Sequence, residues 1–248
     1  MSDARPGLPD GLQGLAAAAL AEMQADPQHH LSPRRRQAIY TALASAPDAA
    51  VRAAPFWLGV LAARRVLPLF QARCPEDGLP SALLAAATGL LEARLDDASA
   101  AEMEDQGYRA SQNAWGYEQD ELPWPVGLAA DAAYHALKEA RGHQPLADLD
   151  VFLRRGTVVL DPSEERAPEP APPLMPAPDE HILNDEALCQ MDNRDTASIA
   201  AVASASTEYG PTCDPERLRV FWSWWLQEAL PAAVEAARGG GRQQKAGD

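Results

Sequence analysis

Cysteine is scarce in this 248-residue sequence, and its three cysteines (Cys74, Cys189 and Cys213) lie far apart. An odd number of separated thiols with no CxxC pair excludes a disulfide framework and a cysteine-based zinc site. The N-terminus lacks the basic and then apolar order of a secretory signal peptide. Arginine or proline interrupts the longest apolar stretches, so we expect no membrane span. These absences predict a cytoplasmic protein with reduced thiols.

Familiar catalytic motifs are missing as well, because the chain has no GxSxG, P-loop, GxGxxG or HExxH pattern. His135 follows Asp131 by four residues, so one helix face would carry either a catalytic dyad or, more commonly, a surface hydrogen bond. Five potential metal ligands without regular spacing occur in HILNDEALCQMD, residues 181–192, which is typical of a solvated loop. They are His181, Asp185, Glu186, Cys189 and Asp192. We therefore predict a non-enzyme with no cofactor and no metal.

Basic residues are few: 21 Lys and Arg stand against 36 Asp and Glu, for a formal net charge of −15. Residues 92–121 hold nine acidic and two basic residues, and residues 145–195 hold twelve and four. The remaining chain balances at fifteen of each sign. Two such acidic patches disfavour nucleic acid and anionic membranes and attract basic partners, although acidic surface also serves solubility alone.

Most segments of the sequence have helical patterns, which indicates an all-α fold: a single bundle-like domain of many helices over residues 1–237. Ser32 with Pro33 and Asp214 with Pro215 are helix-start signals, and Gly142 is a helix-end signal. Pro55 and Pro68 predict breaks or kinks in the apolar segment 48–73. Seven prolines in 161–178 predict a proline-rich excursion, bounded at 155–180, and residues 154–161 resemble a short strand. The last helix is predicted to end at about Ala237, because Gly239–Gly241 follow it, and residues 238–248 are predicted to form a flexible tail.

Three of the six tryptophans fall in RVFWSWWLQEALPAA, residues 219–233. On a helical wheel one apolar stripe forms and Val220 and Trp224 lie beside it, so the apolar arc is wide enough for a helix buried inside a bundle. A membrane anchor would need a basic face, which is absent, whereas a ligand platform stays open as an alternative to a core. The stripe consists of Leu218, Phe221, Trp222, Trp225 and Ala229. The predicted structural residues are Phe221, Trp222, Trp224, Trp225 and Leu226.

Several segments together resemble the all-α immunity-protein family of bacterial polymorphic toxin systems, the class catalogued as Imm-five. They are RRRQAIYTALA, RRVLPLFQ, DTASIAAVASAS and ERLRVFWSWWLQEALPAA. The resemblance covers roughly residues 32–235 and is most specific in the terminal helix. Members of that family are encoded beside a toxin and neutralise it by direct binding in the cytoplasm. The resemblance therefore implies an inhibitor of a cognate toxin, and it supplies no catalytic residues.

The acidic stretch 92–121 is the predicted interface, because an acidic face could fill the basic groove of a nuclease-type toxin. Aromatic residues beside the acids would act as anchors. The predicted partner-binding residues are Asp96, Asp97, Glu102, Glu104, Asp105, Trp115, Tyr117, Glu118, Asp120, Glu121 and Trp124. Two other classes stay open: an all-α metal-dependent enzyme with carboxylate ligands at Asp96 and Asp97 or in 180–192, and an adaptor that uses the proline-rich stretch. The oligomeric state is not indicated.

Overall fold

A computed structural model describes residues 8–113, 122–142, 195–207 and 210–244. Within these ranges the protein is built from helices, which confirms the all-α prediction. The helices of the N-terminal part are α1 (Asp10–Ala25), α2 (Pro33–Ala44), α3 (Ala54–Arg73), α4 (Leu79–Leu91), α5 (Asp97–Asn113) and α6 (Trp124–Ala140). The C-terminal part holds α7 (Thr196–Ala205), α8 (Pro215–Trp224) and α9 (Leu230–Gln244).

One small element was not predicted: a two-stranded antiparallel sheet between α7 and α8. Its strands are β1 (Ser206–Thr207) and β2 (Gly210–Cys213), with an irregular register between Ser206 and Thr207. The candidate strand at 154–161 and the proline-rich excursion at 155–180 lie outside the described residues.

The predicted helix-end signals are confirmed where the structure describes them. Ser32 Oγ accepts from the backbone N–H of Arg35, and Asp214 accepts from the first turn of α8. Gly142 has φ of +102°, the left-handed conformation that ends a helix, and its N–H bonds the carbonyl of Glu139. Local chemistry therefore sets these boundaries.

The apolar segment before α4 changes helix type beside Pro55, where a break or kink was predicted. A 3-10 turn at Ala49–Ala53 leads into α3, where Pro55 occupies the first turn, whereas Pro68 lies inside a continuous helix. By length and hydropathy alone, Ala49–Arg73 is long and apolar enough to cross a membrane, although no membrane span was expected from the sequence. Because 56% of its most apolar window is buried by the rest of the fold, we interpret it as a core helix.

Three alanine-rich helices, α3, α6 and α7, form the centre of the bundle and pack on one another. Small side chains allow this close approach: at Gly59 of α3, an added Cβ would lie only 2.4 Å from Glu139 Oε2 on α6. The other helices surround this centre, with α4 and α5 against α6, and α8 and α9 against α7 and α3. The segment that follows residue 195 therefore completes the core begun by α1–α6.

The last helical stretch is continuous but irregular, because a π turn at Trp225–Ala229 joins α8 to α9. Leu230 N–H bonds the carbonyl of Trp225, five residues back. Pro231 comes next and has no N–H, and its ring would press on the carbonyl of Gln227 in a regular α-helix. The wider turn relieves that clash.

The terminal helix also extends further than predicted, to Gln244 instead of Ala237. Glycine costs a helix about 1 kcal/mol but does not forbid it. A glycine stop requires positive φ, and among the described glycines only Gly142 has it.

Candidate functional site

The five described carboxylates of the predicted interface lie on α5 or just before it. Asp97, Glu102 and Asp105 are exposed along it, and Asp96 is exposed just before it. Glu104 is partly buried. We call Glu102, Asp105, Tyr108 and Arg109 the α5 outer face, because these four side chains are exposed on consecutive turns.

Four of the predicted interface carboxylates have partners within the protein, and three of them (Asp96, Asp97 and Glu104) lie where α5 begins or meets the end of α6. Asp96 caps α5, because its Oδ1 accepts from Ser99 N–H at 2.9 Å, and these hydrogen bonds lower its pKa. Arg141, at the end of α6, donates to Asp97 at 3.0 Å and to Glu104. The bond to Arg141 lowers the pKa of Asp97 and raises that of Arg141. These three residues therefore hold α5 in place, and their carboxylates are engaged rather than open to a metal.

The α5 outer face is chemically mixed. Glu102 makes no ion pair with another described residue, whereas Asp105 pairs with Arg109 at 2.8 Å. Tyr108 is 52% exposed, the largest exposed fraction among the large hydrophobic side chains of the described part. Tyr108 was not among the predicted binding residues, although it follows Asp105 by three residues and therefore lies beside the acids on a helix.

The aromatic anchors predicted beside these acids are only partly located. Trp124, at the start of α6, is partly buried and packs against the core, so it is not a free-standing surface ring. The remaining predicted interface residues lie outside the described residues; they are Trp115, Tyr117, Glu118, Asp120 and Glu121.

The Asp131–His135 pair on α6 is buried, so the expectation of a surface hydrogen bond is wrong. The two side chains are 6% and 9% exposed, and His135 Nε2 lies 3.8 Å from Asp131 Oδ2. Ser111 Oγ of α5 donates to Asp131 Oδ1 at 2.7 Å. The serine therefore contacts the aspartate, whereas in a serine nucleophile arrangement it would contact the histidine.

A second buried polar cluster joins α2 to the start of α7. Arg36 Nε donates to Asp195 Oδ2 at 3.1 Å, and the Tyr40 hydroxyl donates to the same oxygen at 2.8 Å. Burial first, and Asp195 next, raise the pKa of Tyr40 well above its usual value. Arg36 is the last of three consecutive arginines at 34–36, and nothing in that run indicates that it is 1% exposed.

The tryptophans of α8 and of the π turn that follows it divide into buried and partly exposed rings. Trp222 and Trp225 are 2% and 0% exposed, and Phe221 and Leu226 are buried beside them. Trp224 is partly buried, with the guanidinium of Arg65 4.3 Å from its ring centre. Val220 is 47% exposed, so this edge of the helix is not enclosed as the wide apolar arc predicted.

Within the part of the chain that the structure describes, no group of three or more His, Cys, Asp or Glu could hold a metal ion. The 180–192 cluster lies outside that part, so its interpretation as a solvated loop stays a prediction.

Comparison with known proteins adds one match. A family model described as Immunity protein Imm5 matches residues 17–146, just over half of the chain. A search of curated proteins gives no match. The matched range spans most of α1 and all of α2–α6, and so includes the α5 outer face, whereas the tryptophan-rich α8 lies beyond it. The chain belongs to the Imm5 immunity protein family.

Proposed function

We propose that this protein binds and neutralises a cognate toxin of a bacterial polymorphic toxin system, in the cytoplasm and without catalysis. The match to an immunity protein family carries this proposal. The family suggests toxin neutralisation, and the fold suits it, since an immunity protein acts by presenting a rigid surface. The exposed, acidic position of α5 supports a binding role for its outer face.

The α5 outer face would meet a basic toxin surface such as the groove of a nuclease-type toxin. Glu102 and Asp105 provide exposed negative charge, and complementary charge accelerates association more than it stabilises the complex. Tyr108 provides apolar area and a hydroxyl at little entropic cost. The bonds from Arg141 to Asp97 and Glu104 keep the helix from shifting when the toxin binds.

Charge reversal on the α5 outer face tests the electrostatic part. For the double variant Glu102→Lys and Asp105→Lys we expect about a tenfold or larger loss of association rate with the toxin encoded beside this protein. The effect should shrink as salt is raised from 50 to 500 mM, roughly the range over which screening becomes strong. Stopped-flow or surface-plasmon measurements at several salt concentrations give both quantities.

Glu228 and Glu235 provide the matched control, because both are exposed and lie on the π turn and on α9. The double variant Glu228→Lys and Glu235→Lys changes the net charge equally and should reduce the rate far less. Equal effects of the two double variants would mean that net charge alone sets the association rate, and would contradict a role for the α5 outer face.

Substitution of Tyr108 tests whether this ring is an aromatic anchor for the toxin. Its ring is half exposed and touches Tyr134 at a centroid distance of 6.4 Å, so Tyr108→Ala should cost little stability. If Tyr108 is an interface hot spot, the variant should weaken toxin binding about thirtyfold, mainly through faster dissociation. Calorimetric titration measures the affinity, and thermal unfolding checks the fold. An unchanged affinity would place the toxin elsewhere.

A further inference from the structure

Two buried carboxyl groups meet at the first turn of α7, but only one has a cationic partner. Asp195 is paired with Arg36 and also accepts from Tyr40. Glu139 is 4% exposed, and its Oε1 accepts from the backbone N–H of Thr196 at 2.7 Å. Glu139 makes no ion pair with any described residue. A fully ionised Glu139 would therefore be an uncompensated buried charge, which is costly.

The second oxygen of Glu139 lies beside another oxygen that has no partner. Glu139 Oε2 and Thr196 Oγ1 are both buried without a hydrogen bond. A Cβ placed on Gly59 would lie 2.4 Å from Oε2 and 3.4 Å from Oγ1, so both atoms face the same point on α3. Because no described residue pairs a cation with Glu139, the neutral acid, whose O–H can donate to a neighbouring oxygen, is the form that suits this dry site.

The charged groups around Glu139 favour its neutral form. Burial, and to a lesser extent Asp195, raise its pKa to about 8, and the backbone and side chain of Thr196, together with Lys138, offset only part of this effect. From α2, Arg36 and Tyr40 are directed at Asp195.

The other helices around Glu139 direct their charged groups elsewhere. The residue of α3 that faces Glu139 is Gly59, and α4 contains no titratable residue. The Asp97 and Glu104 carboxylates of α5 bond Arg141. On α6 itself, His135 lies beside Asp131.

We propose that Glu139 is a proton-dependent latch: as the neutral acid it holds the first turn of α7 against α3 and α6, and its ionisation releases that turn. The latch joins the region that matches the family to the segment that follows residue 195. Its two sides are 57 residues apart in the chain, so releasing it frees the start of the C-terminal helices.

The pH window follows from the direction of the shift. The folded protein holds this proton up to a pH of about 8, whereas the unfolded chain releases it near the ordinary glutamate pKa of 4.5. Between these two values the folded state binds more protons than the unfolded state, so stability falls as pH rises. The equilibrium constant for opening should increase up to about tenfold per pH unit in this window and level off above it.

The first test is a titration of the wild-type chain by carbon-13 NMR of the glutamate carboxyl groups. The Glu139 signal should have its midpoint more than about 2 pH units above the value usual for a glutamate in an unfolded peptide. A midpoint at that usual value would overturn the proposal. This measurement needs no variant, so it decides even if a substitution prevents folding.

The second test compares Glu139→Gln with Glu102→Gln by amide hydrogen exchange at Thr196–Ser198, corrected for intrinsic exchange, and by thermal unfolding from pH 5.5 to 9. Glutamine keeps the acceptor for Thr196 N–H and adds a donor, so it mimics the neutral acid. In Glu139→Gln the opening constant should become independent of pH and the melting temperature should rise above wild type at pH 9. Glu102→Gln should retain the wild-type slope. An unchanged slope in Glu139→Gln would refute the latch.

Discussion

Replacing Asp195 with alanine is expected to reduce the free energy of unfolding by about 3–5 kcal/mol, the usual cost of breaking a buried ion pair from one side. Asp195 is 0% exposed, and its loss removes the shared oxygen that accepts from Arg36 Nε and from the Tyr40 hydroxyl. The variant also removes the cap of α7, since Asp195 accepts from Ser198 N–H. Urea unfolding followed by circular dichroism measures the change.

Asp214→Ala is the matched control for this substitution. Asp214 caps α8 in the same way, but it is exposed. Its ion pair is long, with 3.8 Å between Asp214 Oδ2 and Arg217 Nε. Losing a cap alone costs about 1 kcal/mol. Similar losses for the two variants would mean that Asp195 acts only as a cap and that its bond to Arg36 adds nothing to stability.

Trp225→Ala should have an effect of similar size, about 3–5 kcal/mol, because a fully buried ring leaves a large cavity. Trp225 is 0% exposed and stands edge-on to both Tyr40 and Trp222, with centroids 5.9 and 5.8 Å away. Thermal and urea unfolding measure the loss, and the variant should melt at a markedly lower temperature.

The adjacent Trp224 provides the comparison. Its ring is only partly buried and its main charged contact is Arg65, so Trp224→Ala should cost about 1–2 kcal/mol. Acrylamide should accordingly quench a protein that retains only Trp224 more than one that retains only Trp225. The reverse order would contradict the division of α8 into an inner and an outer edge.

Local features of the fold could be predicted because they depend on neighbouring residues. Ser32, Asp214 and Gly142 act within one turn of chain, and the helical wheel of α8 requires only the spacing of its residues. The inner stripe through Trp222 and Trp225 is buried as that spacing indicates.

Long-range partners could not be predicted in this way. Arg36 and Asp195 are 159 residues apart, and nothing near either residue indicates the other. Tyr108 was missed for a different reason, since its exposure depends on which side of α5 packs on α4 and α6. Asp97 and Glu104 look like free surface acids in the sequence, but Arg141 approaches them from the end of another helix.

The position of α7 between α3 and α6 affects how this protein can be shortened. The family match ends at residue 146, but the alanine face of α7 covers side chains of both helices that would otherwise meet water. A fragment trimmed to residues 17–146 would expose this apolar wall and lose the buried bond from Arg36 to Asp195. Such a fragment should aggregate, so an expression plasmid for the half that matches the family must also encode the stretch that begins at residue 195.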